Sequence, residues 1–531
     1  MTVQSIAEAL WSYEVARAPY LQLRSGVPVE GLPVGSLDEA DEDAAFARGQ
    51  IEALRQIDKT SLPIDDWLTA EFLDVVLTEM TSAAEAWWWS FAVTPYGTYG
   101  LNASTMQVVA SFDLDEPADA KRYRAVAADY AAAVSAAHDK LVRQTERGWP
   151  LPRAALPGAL NTIRGVRATA ERLFAEAETI LAKEILPAVD SLLEYLDEYE
   201  PLAADGVGLG QYPGGAAAYE HLVRQHATYD IGVDAIHALG LSQVEGLTEE
   251  LRLVREAVGF GGSEDEFRRQ LEADRRMYAT SAADVEARYR TAIARIEPVM
   301  HEAFSVLPEA PYDVARLDPS MEAGLTYGFY EPPTPAMPVG RYRYNGSGLE
   351  TRSQLNAAAI IYHELIPGHH FHLARQAENS ALPQARQNSL SFGAFNEGWA
   401  EYAAGVANEL GMYEDPYDKY GWLIHQRFVA QRLVVDTGLN ALGWSLQRAR
   451  SYMSAMTFEA PEQVATETLR YATDLPGQAV GYRLGYLKLG ELRQRLGRPA
   501  KEFHEVVLGP GALPLSVVAQ HVDRLRAQTV R

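Results

Sequence analysis

The sequence predicts a mainly α-helical body of two lobes, with a short edge β-ribbon beside the segment that carries its chemistry. Three observations predict it. Apolar residues recur at helical steps through most of the chain, strand text is confined to one short stretch, and the proline- and glycine-rich breaks are loops rather than flexible linkers. The 531 residues allow several domains by length, but no internal repeat or low-complexity tail divides them. We place a soft boundary near residue 205, giving an N-terminal helical lobe (1–205) and a C-terminal lobe (206–531) that share one body.

The elements follow in order. Trp87-Trp88-Trp89 reads as a helix end with one buried and one amphipathic ring. From Pro117 to Arg147, the residues Tyr123, Val126, Tyr130, Val134, Ala137 and Leu141 recur at steps of three and four, one buried helix face. A second run, Asn161 to Tyr199, is interrupted by Pro187, which removes a backbone donor and clashes with the preceding turn. Gly206–Gly215 is a loop. Ser242, with Glu245 three residues on, has the spacing of a capping box and predicts a helix start. Helical text continues from 264 to 305. The strand candidate is Val339–Asn345, alternating and tyrosine-rich, after a proline-rich stretch that cannot be helical.

Composition narrows the function. With 47% hydrophobic and 22% charged residues the chain is not disordered. Its 47 basic against 72 acidic residues leave a net charge of −25, which argues against nucleic acid and anionic membrane surfaces as partners. There is no cysteine, so thiolate nucleophiles, disulfides and Cys-ligated metals are excluded. The first residues lack the basic and apolar regions of a signal peptide, and no run of about 18 apolar residues exists. A cytoplasmic location is the expectation.

The chemistry concentrates in one place. Of twelve histidines, four (His363, His369, His370, His372) fall within ten residues, in IIYHELIPGHHFHLARQ. Thr351 and Gln354, spaced as a capping box, should open the helix that carries them. His363-Glu364 begins like H-E-x-x-H, in which two histidines one turn apart reach one metal and the glutamate polarises water. The i+4 position here is Pro367 and the next histidine is at i+6. On a regular helix it would point about 240° away. A shared metal therefore requires a break, and Pro367-Gly368 supplies the signal for one. His370 faces the right way but lies about 10 Å along the axis. Downstream, Glu397 and Glu401 share a helix face. One can bind metal and the other can hold a ligand histidine. The pattern HE…H…ExxxE follows the logic of gluzincin metallopeptidases.

These motifs resemble the bacterial domain-of-unknown-function 885 family, whose hallmark is H-E-x-x-P-G-H followed by E-G-W-A-x-Y. Gly328-Phe-Tyr-Glu-Pro-Pro333 with Tyr344-Asn345 looks like the family's segment before the active helix. Arg432 to Gly438, Gly443-Trp444, Arg470-Tyr471 and Pro476 to Tyr486 look like its later signatures, and Gly208-Leu-Gly with Tyr219 to Thr228 like a middle-region motif. One departure is Asn440, where the family commonly has histidine; it leaves specificity or chemistry open. The resemblance implies a peptidase-like protein with a two-lobed helical gluzincin-like metallopeptidase architecture.

On that basis His363, His369 and Glu397 are the expected zinc ligands, with Mn²⁺, Co²⁺ and Fe²⁺ able to occupy similar sites. Glu364 is the expected general base. Glu401 and His370 are expected to support the ligands from outside. Tyr482 and Tyr486 are candidate oxyanion donors, and Arg483 a candidate carboxylate binder. Tyr344 lies on the strand that could pair with an extended substrate. Asp436 reads as a structural acceptor, His372 as a packing or supporting residue, and His226 and His425 as the remaining histidines nearest to family-like motifs. The expected function is a zinc-dependent hydrolase that cleaves an amide bond in a short peptide or peptide-like small molecule, working in a cleft between the lobes. Two rivals stand: a metal enzyme of elimination, hydration or cyclisation, and a metal-free binding protein.

Overall fold

The computed structural model describes residues 1–319, 322, 328–334 and 337–529. The described chain is mainly helical with one three-stranded sheet. It forms two compact units. The first comprises Met1–His221 with two short returns of the chain, Leu439–Leu446 and Leu469–Pro476; the second comprises Leu222–Gly438, Gln447–Thr468 and Gly477–Arg531. The division therefore falls after His221 rather than near 205. Packing gives the reason: the Gly206–Gly215 loop is bound inside the first unit. Gly208, with φ of +80°, and Gly210 press so closely on the backbone of Leu439 and Asn440 that no Cβ fits. Asn440 then closes the contact, accepting from Leu209 N at 2.9 Å and donating to Tyr471 O at 2.9 Å.

In the first unit the helix Pro117–Glu146 buries Tyr123, Val126, Tyr130, Val134 and Leu141, the face its periodicity predicts. The following run breaks earlier than Pro187: the helix Leu156–Leu173 ends at Phe174, and Pro187 sits near the start of the helix Leu186–Asp197, which a wide turn at Leu181–Ile185 precedes. Trp87 is buried, with its Nε1 donating to Gly35 O at 2.9 Å, while the half-buried Trp88 offers its face to the Arg147 guanidinium at 4.4 Å.

In the second unit, the helix Val233–Ala257 runs straight through Ser242. The cap signal there is overridden because the buried face Ile236, Gly240, Val244, Leu247, Leu251 continues on both sides of it. Strands β1 (Tyr312–Arg316), β2 (Gly328–Glu331) and β3 (Gly340–Tyr344) form the sheet in the order β1-β3-β2. The predicted strand is β3, but it is central and not an edge: it pairs parallel with β1 and antiparallel with β2. Gly340, Tyr342 and Tyr344 turn inward and the intervening arginines outward. No helix among the described residues is long and apolar enough to cross a membrane.

The unit also contains a buried histidine with a measurable consequence. His504 is fully buried, its Nδ1 against Ala303 O at 2.8 Å and its Nε2 against Tyr402 Oη at 3.0 Å. Burial pushes its pKa down to about 4. The unfolded chain takes up a proton near pH 6.5 and the folded chain does not until about 4. Stability from this group is therefore present above 6.5 and is lost as pH falls towards 4, by on the order of 3 kcal/mol. Thermal unfolding between pH 7 and 4 should show a shallower acid slope in His504→Phe than in the wild type; parallel slopes would contradict the assignment.

Candidate metal centre

The histidine-rich segment is two short helices, Ala357–Glu364 and His369–Glu378, joined by a break. The first starts later than the capping box predicts. Thr351 Oγ1 donates to Gly348 O at 3.2 Å, and Gln354 N donates to Met277 O at 2.6 Å, so these residues are held by a turn and a bridge instead. The break is at Leu365–Gly368, where the Ile366–Pro367 bond is cis. Gly368 has no room for a Cβ, which would overlap the carbonyl of His363. The buried Trp399 donates its Nε1 to Pro367 O at 2.9 Å and ties the break to the helix Gly393–Glu409.

This deformation brings His369 back to His363, their rings 4.8 Å apart and perpendicular. Both converge on one oxygen of Glu397: His363 Nε2 lies at 3.5 Å and His369 Nε2 at 3.3 Å from Oε2. Donors about 2.1 Å from a tetrahedral zinc stand about 3.4 Å apart; each nitrogen keeps about that distance from the carboxylate oxygen, and one donor atom of each of the three residues lies within 4.8 Å of the others. The donor set of two imidazoles and a carboxylate also suits zinc chemically. The cluster thus fits a divalent ion.

A layer of ion-pair and hydrogen-bond contacts lies behind it. Glu401 Oε1 is 3.2 Å from His363 Nδ1 and accepts from His425 Nε2 at 2.9 Å, while its Oε2 accepts from Gln426 Nε2 at 2.6 Å. Gln426 Oε1 in turn accepts from Arg483 Nη1 at 2.7 Å, and Arg483 Nε donates to Gln243 Oε1 at 3.1 Å. The chain of bonds has a direction. Arg483 can only donate, so Gln426 must present its oxygen to Arg483 and its NH₂ to Glu401. Glu401 is then an acceptor on both oxygens and faces the Nδ1 side of His363, leaving Nε2 towards Glu397.

The electrostatics agree. Burial pushes the Glu401 carboxyl up, but His425 and His363 outweigh it and hold it well below the usual range. Burial likewise opposes ionisation of Glu397, and His369 and His363 overcome it. His363 is pushed down by burial and held well above the ordinary imidazole value by Glu401 and Glu397. Glu364 moves the other way: burial raises its carboxyl, against the pull of His363 and His369.

Other expected residues fall elsewhere. Tyr482 lies near-parallel to His363 with rings 6.5 Å apart, and the Arg432 guanidinium sits 4.4 Å over its ring. Arg483 is buried and engaged by Gln243 and Gln426, so it supports Glu401 and is not set to receive a substrate carboxylate. Tyr486 lies under the Arg483 guanidinium at 4.5 Å. Tyr344 is turned into the packing, its hydroxyl donating to Ala282 O and Glu286 at 3.1 Å. His370, expected beside the ligands, is engaged by Tyr330 Oη at 2.9 Å and Ala310 O at 3.0 Å, and fixes the helix to the sheet. Gly340 makes room for its ring. His372 is buried beside His369 and Phe395, where burial holds it neutral. Asp436 is a structural acceptor, receiving Gly477 N at 3.0 Å. His425 joins the site; Gln426 and Gln243, which sequence reasoning missed, carry no signal that separates them from surface glutamines.

Gln426→Met keeps the volume and removes both bonds. It should weaken zinc binding about 10-fold or more, measured by competition with a chromogenic chelator. Unchanged affinity would show that the Arg483–Gln426 chain does not act on Glu401.

A broken helix, two histidines and a glutamate converging beside it, and a buried glutamate behind them make a mainly helical protein with a group of side chains that could hold a metal. The chain belongs to the family described as bacterial protein of unknown function (DUF885), whose model matches residues 19–522, as the motifs indicate. No curated protein matches. Among solved structures, the chain is similar to the "putative lipoprotein" from Colwellia psychrerythraea at 23% identity, with a TM-score of 0.85 over 99% of each chain. It is also similar to a "putative lipoprotein of unknown function" from Shewanella oneidensis at 18% identity, with a TM-score of 0.75 over 98% of each chain. These likenesses show the fold. Both of those proteins are named as lipoproteins, which are membrane-anchored outside the cytoplasm, so the cytoplasmic expectation is withdrawn.

Proposed function

We propose that this chain is a zinc-dependent hydrolase that cleaves an amide bond in a short peptide or peptide-like small molecule, outside the cytoplasm. In this reading the active segment is a gluzincin-like plan in which the second histidine has moved from i+4 to i+6 and a break compensates. The observation that carries it is the placement of His363 Nε2 and His369 Nε2 at 3.5 and 3.3 Å from one oxygen of Glu397. A divalent ion held by these three residues would supply Lewis acidity to the scissile carbonyl and to water.

The chain's own residues supply the rest. Glu364 adjoins His363, and burial raises its carboxyl towards the range a general base needs at neutral pH. It would accept a proton from water and return it to the leaving amine. Glu401, with His425 and Gln426, holds His363 in the orientation that presents Nε2. Tyr482, its ring near-parallel to that of His363 at 6.5 Å, would be the phenol that donates to a developing oxyanion.

Turnover of a dipeptide and tripeptide library in ¹⁸O-water tests the proposal. One labelled oxygen in each new carboxylate is expected. Unlabelled products with altered mass would instead indicate elimination or cyclisation.

A further inference from the structure

The first unit carries a half-open cavity of about 800 Å³. Leu32, Phe91, Val134, Ile163, Val166 and Leu192 are among the residues that line it. That volume and character are those of a small-molecule site, which is mostly apolar with a few polar groups to fix orientation. One such group is Lys140, which lines the cavity yet is only 7% exposed. Its ammonium donates to Ser90 Oγ at 3.0 Å and sits 4.8 Å over the Trp87 ring. Among the described residues no carboxylate pairs with it.

A buried cation without a counter-charge is unfavourable, and proteins usually pair it. Two carboxylates line the same cavity but are engaged elsewhere. Asp43 accepts from Tyr13 Oη at 2.7 Å and Arg17 Nε at 3.1 Å, and Asp474 accepts from Thr473 Oγ1 at 3.1 Å. Burial alone lowers the Lys140 pKa to about 8, consistent with an ammonium that has no anion beside it.

We propose that this cavity binds a carboxylate with an apolar body, such as a medium-chain fatty acid, with its head on Lys140 and Ser90 and its chain along the aliphatic lining. A single negative charge matches a single ammonium beside a hydroxyl; a dianionic phosphate would bring a second charge with no partner. The lining named above supplies the apolar contact. The inference is independent of the metal centre, whose ligands all lie in the second unit.

Dodecanoate, kept below its micelle concentration, tests this by calorimetry on the full chain. One saturable site per chain is expected, with dodecanol and dodecyltrimethylammonium at least 10-fold weaker. Lys140→Met should weaken dodecanoate at least 10-fold. Ile163→Trp, which fills the cavity, should abolish binding and keep the helical circular dichroism; it decides the matter if the lysine variant does not fold. No saturable dodecanoate binding by the wild type would overturn the proposal. So would dodecanol binding as tightly as dodecanoate, or affinity unchanged in the variants.

Discussion

Glu364→Gln should leave the metal content of the protein unchanged and slow amide hydrolysis by about 10²–10⁴-fold. The amide keeps the volume of the carboxyl but cannot accept the proton from water. The converging donors are His363, His369 and Glu397, so the substitution does not touch them. Glu364 is coupled electrostatically to His363, His369 and Glu397, the position a base beside this cluster must have. Full activity in the variant, at equal metal content, would assign the proton transfer to another group.

Gly368→Ala should be among the most damaging single changes in the chain. A Cβ there overlaps the His363 carbonyl and lies 2.6 Å from Tyr362 O. Both are backbone atoms of the adjoining turn, with no side chain to swing aside. Overpacking of this kind costs about 1–3 kcal/mol or more, and relief would require the break to open and His369 to leave Glu397. We expect a melting temperature lower by about 2–5 °C and loss of zinc together. Gly393→Ala, at a position with open space around the site of its Cβ, is the control and should retain both. Normal metal content and stability in Gly368→Ala would show that the break tolerates a side chain.

How much of this is legible in the sequence depends on what each signal encodes. Pro367-Gly368 announces a break because both residues act on the backbone alone, and ExxxE announces a shared face because helix geometry fixes it. The structure contains both. The caps expected at Thr351 and Ser242 fail for one reason: a cap is a local signal, and a longer-range contact displaces it, the Met277 bridge in one case and a continuous buried face in the other. Pattern shows that Val339–Asn345 is a strand but not which partners flank it, since β1 and β2 both precede it in sequence and carry weaker text. Arg483 illustrates a deeper limit. An arginine in a functional motif reads equally well as a substrate binder or as a buried support, and only Gln243 and Gln426 decide. Asn440 is similar: its departure from the family pattern looks chemical, whereas it closes backbone contacts at Leu209 and Tyr471 within the first unit.

The account rests on a divalent ion held by His363, His369 and Glu397. Metal content by plasma mass spectrometry, on protein purified without chelator or metal-binding tag and beside a His363→Ala sample, tests it most directly. The prediction is about one zinc per chain in the wild type and none in the variant. No metal in either sample, even after zinc is added and the protein dialysed, would contradict it.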